Sequence, residues 1–171
     1  MSDTPTNKVF TIVVYHDHCI DGMTAYWATA RGLGLDDTNH VALACSYKPE
    51  DEWAIEKSVK WEYLKHDDGV RLVVVDYSIS VELIDTLADY IAIDITICDH
   101  HQTAFDRYGV TPGPGGMSKI DFQGKATLYL AQHLSGAGIC WEVFNSMKAT
   151  PWLVYYVQDR DLWTKESSHT D

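Results

Sequence analysis

Two short segments of this 171-residue chain are rich in side chains that bind metal ions. Residues 16–22 contain two histidines, two aspartates and a cysteine before a glycine, and residues 99–101 read Asp-His-His. Each segment follows an apolar run of β-strand type, and Asp76 ends a third such run at residues 72–75. Imidazole nitrogens and carboxylate oxygens are common ligands of divalent cations. If the three strands are parallel, their carboxyl ends meet at one sheet edge, which predicts a metal site there.

Each of these features also has an ordinary structural interpretation. Asp76 alone is equally well explained as a turn or helix-capping aspartate. A polar strand end accounts less well for two adjacent histidines at residues 100–101, and solvation accounts poorly for five ligand-type side chains within residues 16–21.

A further candidate lies near the end of the last predicted helix, where Asp159 and Asp161 flank an arginine. A charged, exposed helix end is common, but acidic groups at a helix C-terminus oppose the helix dipole. Apolar residues on both sides suggest partial burial, which raises the cost of an unpaired charge. A bound cation would offset both penalties.

The elements that must position these residues alternate between strand and helix. Continuous apolar runs predict buried strands, and amphipathic or capped segments predict helices between them. The sequence therefore predicts an α/β fold with a mostly parallel sheet of about five strands and helices on both faces. Strands are expected at residues 9–15, 41–47, 71–75 and 92–98, and helices at 23–33, 50–64, 80–90, 102–108, 135–147 and 151–162.

The rest of the chain is less regular. Residues 126–131 fit either a strand or a helix, and the Pro/Gly-rich residues 111–116 predict a loop. The length predicts a single domain over residues 1–171, of which residues 1–8 are polar and expected to be flexible.

Composition limits the partners. The net charge of −12, with 13 basic residues spread along the chain, argues against a duplex-binding surface, which needs clustered Lys and Arg. No segment is apolar for long enough to span a membrane. The four cysteines form no CxxC pair, and a reducing cytoplasmic location is the expectation, in a host cytoplasm if the chain is phage-encoded.

Taken together, the motifs resemble the DHH phosphoesterase superfamily. The resemblance rests on residues 15–22, Asp76, residues 99–101 and residues 159–163, which occur in the family's order and cover nearly the whole chain. That superfamily includes RecJ-like exonucleases, nanoRNases, cyclic dinucleotide phosphodiesterases and pyrophosphatases. The chain is most similar to its compact phosphohydrolases, which phages often encode.

The resemblance implies two divalent ions, usually Mn²⁺, with Mg²⁺ as the alternative. His16 and Asp21 match the first motif as ligands. Asp76 matches the second motif and would bridge the two ions.

The resemblance also assigns roles in the last two motifs. His100 matches the ligating histidine, Asp99 would support it, and His101 would face the substrate as a phosphate contact or general acid. In the fourth motif Asp159 is preferred to Asp161, because the family's aromatic residue then falls four positions later.

Two departures from the family pattern are visible. Cys19 stands where many members carry a further aspartate, so one ion loses a ligand unless Cys19, Asp17 or His18 replaces it. Many members also continue into a C-terminal substrate-binding domain with a glycine-rich histidine motif, which is not found in these 171 residues.

The expected activity is therefore metal-dependent hydrolysis of a phosphodiester by a two-metal mechanism. The expected substrates are small nucleotides, cyclic dinucleotides or short single-stranded oligonucleotides, without duplex DNA or a membrane as partner. Two alternatives stay open: a non-catalytic metal- or nucleotide-binding module, or truncated catalytic domain, and a pyrophosphatase-like hydrolase of phosphoanhydrides.

Overall fold

A computed structural model describes residues 9–90, 93–113 and 115–164. The predicted flexibility of residues 1–8 lies outside these ranges. The strands are β1 (Phe10–His16), β2 (His40–Cys45), β3 (Val70–Val75), β4 (Ile93–Asp99), β5 (Ser118–Phe122) and β6 (Ala126–Leu130). The helices are α1 (Ile20–Leu33), α2 (Pro49–Tyr63), α3 (Val81–Ala88), α4 (Gln102–Tyr108), α5 (Gly136–Asn145) and α6 (Trp152–Asp161).

One mixed sheet organises the chain, with strand order β2-β1-β3-β4-β6-β5. All neighbouring pairs are parallel except β5 and β6, which form an antiparallel hairpin at one edge. The predicted α/β class and mostly parallel sheet are confirmed, and the strand count is six where the sequence predicted about five.

The additional strand is β5, and the hairpin also shows that residues 126–130 are a strand and not a helix. Ile120 and Phe122 pack against the core, whereas the alternate residues Lys119 and Asp121 are exposed. The connection is residues 123–125, in which Gln123 at φ 58° and Gly124 at φ 69° adopt the left-handed conformation common in hairpin turns.

Both faces of the central strands are buried, which explains their continuous apolar sequences. Ile12 and Val14 of β1 point into a core that α2, α3 and α4 cover, while Val13 and Val73 point into a core with α1, α5 and α6. Helices on both faces leave the carboxyl ends of the strands as the open edge, where α/β sheets bind ligands. None of the described helices has the length and apolar character needed to span a lipid bilayer.

Close packing of α1 on α5 matters for the site. A Cβ added at Gly32 of α1 would lie 2.5 Å from the Phe144 carbonyl oxygen, so the two helices approach each other as closely as a glycine permits. This contact joins the last turns of the two helices, and at their first turns Asp21 of α1 lies against Gly136 and Ala137 of α5.

Candidate metal centre

Asp76 lies at the centre of the predicted site. The parallel register pairs Tyr15 with Val75 and Val75 with Cys98, so the residues that end β1 and β4 flank Asp76 at the sheet edge. Asp76 is fully buried and adopts φ 51°. A non-glycine residue in this left-handed conformation is uncommon and is often found at functional sites.

Two groups of potential ligands share Asp76. Its Oδ2 lies 3.5 Å from Nδ1 of His16, and its Oδ1 lies 3.2 Å from Nε2 of His100 and 3.8 Å from Nδ1 of His101. His16, Asp76 and His101 form one group of ligand atoms within 4.8 Å of one another. Asp21, Asp76 and His100 form the second. The structure thus brings together five of the residues that the sequence singled out, around one shared carboxylate.

Buried polar atoms in this cluster lack hydrogen bonds of good geometry. Both carboxylate oxygens of Asp76, Nδ1 of His16 and Nε2 of His100 are inaccessible to solvent and have no such partner. Buried polar groups in folded proteins are almost always satisfied, and each exception needs an explanation, such as an unseen ion. The donor set, imidazole and carboxylate, suits Mn²⁺, Fe²⁺ or Zn²⁺ and, through its oxygens, Mg²⁺. The residues present therefore fit bound divalent cations.

The first turn of α5 holds Asp21 in place. The backbone N–H of Gly136 donates to Oδ2 of Asp21 at 2.6 Å, and that of Ala137 donates to Oδ1 at 3.0 Å. A Cβ added at Gly136 would lie 2.6 Å from Cβ of Asp76 and 2.9 Å from Oδ2 of Asp21. Residue 136 must therefore be glycine for the two carboxylates to lie side by side.

Asp99 differs from Asp76 because protein groups donate hydrogen bonds to both of its carboxylate oxygens. Its Oδ1 accepts from the backbone N–H groups of His100 and His101 at 2.7 and 3.1 Å and lies 2.7 Å from Nδ1 of His101. Its Oδ2 accepts from the Ser78 hydroxyl at 2.5 Å. The sequence-based assignment had Asp99 supporting the His100 side chain, whereas the structure places it against the imidazole of His101.

The fourth motif divides between its two aspartates. Oδ2 of Asp161 lies 3.4 Å from Nε2 of His100, whereas the buried Asp159 accepts a hydrogen bond from the Thr164 hydroxyl at 2.5 Å. Positions two apart on a helix point about 200° away from each other, and the carboxylate that pairs with His100 is that of Asp161. The preference for Asp159 as the ligand stays a prediction.

The three substitutes suggested for the absent first-motif aspartate lie outside the two ligand groups, and two of them, Cys19 and His18, line the cleft described below. Cys19 is half-buried at the start of α1, and burial raises the pKa of its thiol to about 11. Asp17 and His18 pair with each other at 3.2 Å on the surface. Among the described residues, neither ligand group includes any of these three.

Electrostatics within the cluster are strong. Burial would raise the pKa of Asp76, but the close imidazoles of His100 and His16 lower it far below its usual range. Burial, and then the charge of Asp76, raise the pKa of Asp21 to about 7. The contact with Asp99 raises the pKa of His101 to about 9. Perturbed pKa values concentrated in one cleft are typical of functional sites.

A cleft of about 870 Å³ opens beside the cluster. Its walls come from the end of β1, the start of α1 and the end of α6 with the residues that follow. The lining residues are His16, His18, Cys19, Ile20, Asp21, Val157, Asp159, Arg160, Asp161 and Trp163. A substrate in this cleft would contact the ligand cluster directly.

Sequence reasoning missed the groups that support the ligands. Ser78 follows Asp76 by two positions in a stretch that the sequence predicts as a turn, and the N–H groups of Gly136 and Ala137 carry no side-chain signal. The Ser135 N-cap, which accepts from the Gly138 N–H, did predict where α5 begins.

A viral protein is similar in sequence to almost the whole of this chain. No known protein-family profile matches the chain. Uncharacterized protein R106 of Acanthamoeba polyphaga mimivirus is 26% identical over 181 residues, a match that covers 99% of this chain. The chain spans 38% of the length of that viral protein.

Solved structures show the same fold in longer chains. An uncharacterized protein from Helicobacter pylori G27 matches with a TM-score of 0.68 at 17% identity, over 92% of this chain and 45% of that one. CDC45 from Entamoeba histolytica matches with a TM-score of 0.56 at 13% identity, over 90% and 29%. RecJ from Thermus thermophilus, solved with Mn²⁺, gives a TM-score of 0.42 at 19% identity, over 90% and 18%. The chain has the fold of the first two proteins, and the ligand cluster lies at the carboxyl edge of its sheet.

Proposed function

We propose that this chain is a metal-dependent hydrolase that cleaves phosphodiester bonds in small nucleotides or short oligonucleotides with two bound divalent ions. The observation that carries the proposal is Asp76, a fully buried carboxylate that belongs to two ligand groups and has no hydrogen bond of good geometry on either oxygen. One carboxylate shared between two groups of donors is the arrangement that a dinuclear site needs. The sequence resemblance to DHH phosphoesterases supports the same interpretation.

The residues that would hold the ions divide into two sets around Asp76. His16 and His101 are the donors on one side, and Asp21 and His100 are those on the other, with Asp161 within reach of His100. Manganese is the proposed metal and magnesium the alternative. When bound, such ions activate water for attack and neutralise charge on the phosphoryl group.

The chain's own residues contribute positioning and charge. The N–H groups at the start of α5 fix the orientation of Asp21, and the Asp99 contact fixes that of the His101 ring. With its pKa raised to about 9, His101 is protonated at neutral pH in the metal-free protein. A protonated His101 cannot ligate a metal ion, so the two roles exclude each other: as a cation it would contact a phosphate oxygen or donate a proton to the leaving oxygen, and as a neutral ring it would join His16 and Asp76 as a ligand.

Hydrolysis assays with matched variants test this proposal. We expect the purified chain with Mn²⁺ or Mg²⁺ to cleave bis(p-nitrophenyl) phosphate and short single-stranded RNA or DNA, and chelation to stop the reaction. Asp76→Asn should abolish cleavage and remove the metal content measured by mass spectrometry. Activity that persists in Asp76→Asn would contradict the two-metal proposal.

Asp94→Asn is the matched control. Asp94 belongs to β4, like Asp99, but it is exposed at the opposite end of the strand and pairs with Arg71 at 3.3 Å. Exposed pairs of this kind contribute about 0–1 kcal/mol to the free energy of unfolding. The control variant should therefore keep its fold, its metal and its activity.

A non-catalytic metal-binding module is the second candidate, and Cys19 favours it. Its neutral thiol stands where an aspartate is expected and is a poorer ligand than a carboxylate for Mn²⁺ or Mg²⁺. Metal bound by the wild-type chain without turnover of any phosphodiester or of pyrophosphate would support this candidate. Under it, Cys19→Asp should increase metal affinity and restore measurable cleavage.

A further inference from the structure

The cleft beside the metal centre is lined by two kinds of surface. Asp21, Asp161 and His16 contribute charged and polar groups, while Ile20, at 53% exposure, and Trp163, at 78%, present apolar surface to solvent. Its volume of about 870 Å³ lies within the range of roughly 300–1,000 Å³ for pockets that bind small organic ligands. A ligand as small as pyrophosphate would leave much of this space to water.

Trp163 lies close to the metal centre because few residues separate it from Asp161. Asp161, whose carboxylate lies 3.4 Å from His100, precedes it by two residues, and two residues of chain span at most about 7 Å. An aromatic ring at this distance is within reach of a nucleoside whose phosphate is bound at the metal centre.

The backbone at Trp163 is unusual for its residue type. The Thr164 N–H donates to the Asp159 carbonyl at 3.2 Å, and the Trp163 N–H donates to the Arg160 carbonyl at 3.4 Å. These bonds form a Schellman motif that ends α6, and Trp163 occupies its left-handed position with φ 55°. Glycine is the usual residue there, because a side chain makes this conformation less favourable.

Stability therefore gives no reason for a tryptophan at this position. The indole is largely exposed, so it contributes little burial to offset the strained backbone. A large aromatic side chain that is unfavourable for the backbone and open to a cleft is better explained by contact with a ligand.

Arg160 gives the cleft a cation. It is the one Lys or Arg among the described lining residues, is exposed, and forms no salt bridge within the described part of the chain. The guanidinium group suits phosphate oxygens through two parallel hydrogen bonds.

We propose that Trp163 and Ile20 form a stacking surface for a nucleobase and that Arg160 contacts a phosphate of the same nucleotide. The cleft would then select base-containing substrates over base-free phosphates. This inference rests on the proposed phosphodiesterase function, for which it specifies the substrate class.

Binding of matched ligands provides the first test. Adenosine 5′-monophosphate and ribose 5-phosphate share a sugar and a phosphate and differ in the base. In the presence of Mg²⁺, calorimetry should show tighter binding of the monophosphate to the wild-type chain. Trp163→Gly should weaken that binding about 5- to 150-fold, the range for loss of one base–aromatic contact.

The same variant controls for folding. Because glycine is favoured at the left-handed position, Trp163→Gly should have an unchanged or higher melting temperature. Trp152→Ala is the matched control, since Trp152 begins the helix that Trp163 follows, is 71% exposed and does not line the cleft. It should bind adenosine 5′-monophosphate as the wild-type chain does.

A substrate pair separates this inference from the proposed function. Trp163→Gly should lower kcat/KM for a thymidine dinucleotide relative to the same dinucleotide with one abasic position. The stacking proposal would be overturned if the wild-type chain bound adenosine 5′-monophosphate and ribose 5-phosphate with equal affinity. It would also be overturned if Trp163→Gly changed neither the ratio of these two affinities nor the ratio of kcat/KM between the two dinucleotides. Absence of all wild-type turnover would contradict the proposed function, while the binding result would still decide the role of Trp163.

Discussion

Asp76 and Asp99 are two fully buried carboxylates at the ends of neighbouring strands, and their surroundings are opposite. Asp99 accepts hydrogen bonds from a serine hydroxyl and two backbone N–H groups and contacts the ring of His101. Asp76 has imidazole nitrogens at 3.2–3.8 Å and no hydrogen bond of good geometry on either oxygen. The comparison shows that burial and position at a strand end do not by themselves leave a carboxylate available to a metal ion. The difference lies in whether the protein itself satisfies the carboxylate.

The largest expected difference between the two residues is in metal affinity. Loss of an outer residue that orients a ligand typically lowers metal affinity about 10- to 100-fold, and we expect this of Asp99→Asn. Asp76→Asn should lower it by more than about 100-fold, because a ligand shared by both groups is lost. Calorimetric titration with Mn²⁺ measures both variants. Equal losses would show that Asp76 and Asp99 do not differ in role.

The order should reverse for stability without metal. Asp99→Ala leaves the buried Ser78 hydroxyl and backbone N–H groups unpaired, and each unsatisfied group costs about 1–3 kcal/mol. We expect Asp99→Ala to lower the free energy of unfolding by about 2–5 kcal/mol, and Asp76→Ala to lower it by less. Urea denaturation in the presence of a chelator measures the two values. A greater loss in Asp76→Ala would mean that its imidazole contacts stabilise the fold more than hydrogen bonds do.

The aspartates of the fourth motif allow a similar comparison over two residues. Asp161→Asn should weaken metal binding about tenfold or more, because its carboxylate lies beside His100. Asp159→Asn should mainly affect stability, because Asp159 is buried and bonded to Thr164. Titration and denaturation of both variants test this, and weaker metal binding in Asp159→Asn alone would restore the assignment made from the sequence.

Protonation of Asp21, which competes with metal binding, should have the smallest effect on metal affinity. The pKa of Asp21 is raised from 3.8 to about 7, first by burial and then by the charge of Asp76. Because metal ligands must be deprotonated, metal affinity should fall as the pH drops through about 7, by up to about tenfold per unit.

The stability of the metal-free chain should change in the opposite direction. A group with a raised pKa in the folded state stabilises the fold below its unfolded pKa, and this contribution is lost as the pH rises through about 7. The rise in melting temperature that Mn²⁺ produces should thus be larger at pH 8 than at pH 6. Thermal scans with and without the metal measure it, and a larger rise at pH 6 would contradict the assignment of Asp21 as a ligand.

The amino-acid sequence by itself predicted much of this protein. Apolar β-branched runs indicated the buried strands, and the polar residues that end them identified His16, Asp76 and residues 99–101 as neighbours at one sheet edge. These predictions succeeded because strand periodicity and the geometry of parallel sheets are local or general rules. The β5 strand was missed because only two of its five residues, Ile120 and Phe122, are apolar, which is too few to form an apolar run.

The tertiary structure alone decided which groups the candidate site residues contact. Asp21 is held by N–H groups 115 and 116 positions away in the chain, and Asp99 contacts His101 in place of the His100 side chain. The rotation of α6 puts the Asp161 carboxylate 3.4 Å from Nε2 of His100. These outcomes depend on helix packing and on competition among nearby donors and acceptors, which residue type and spacing do not encode.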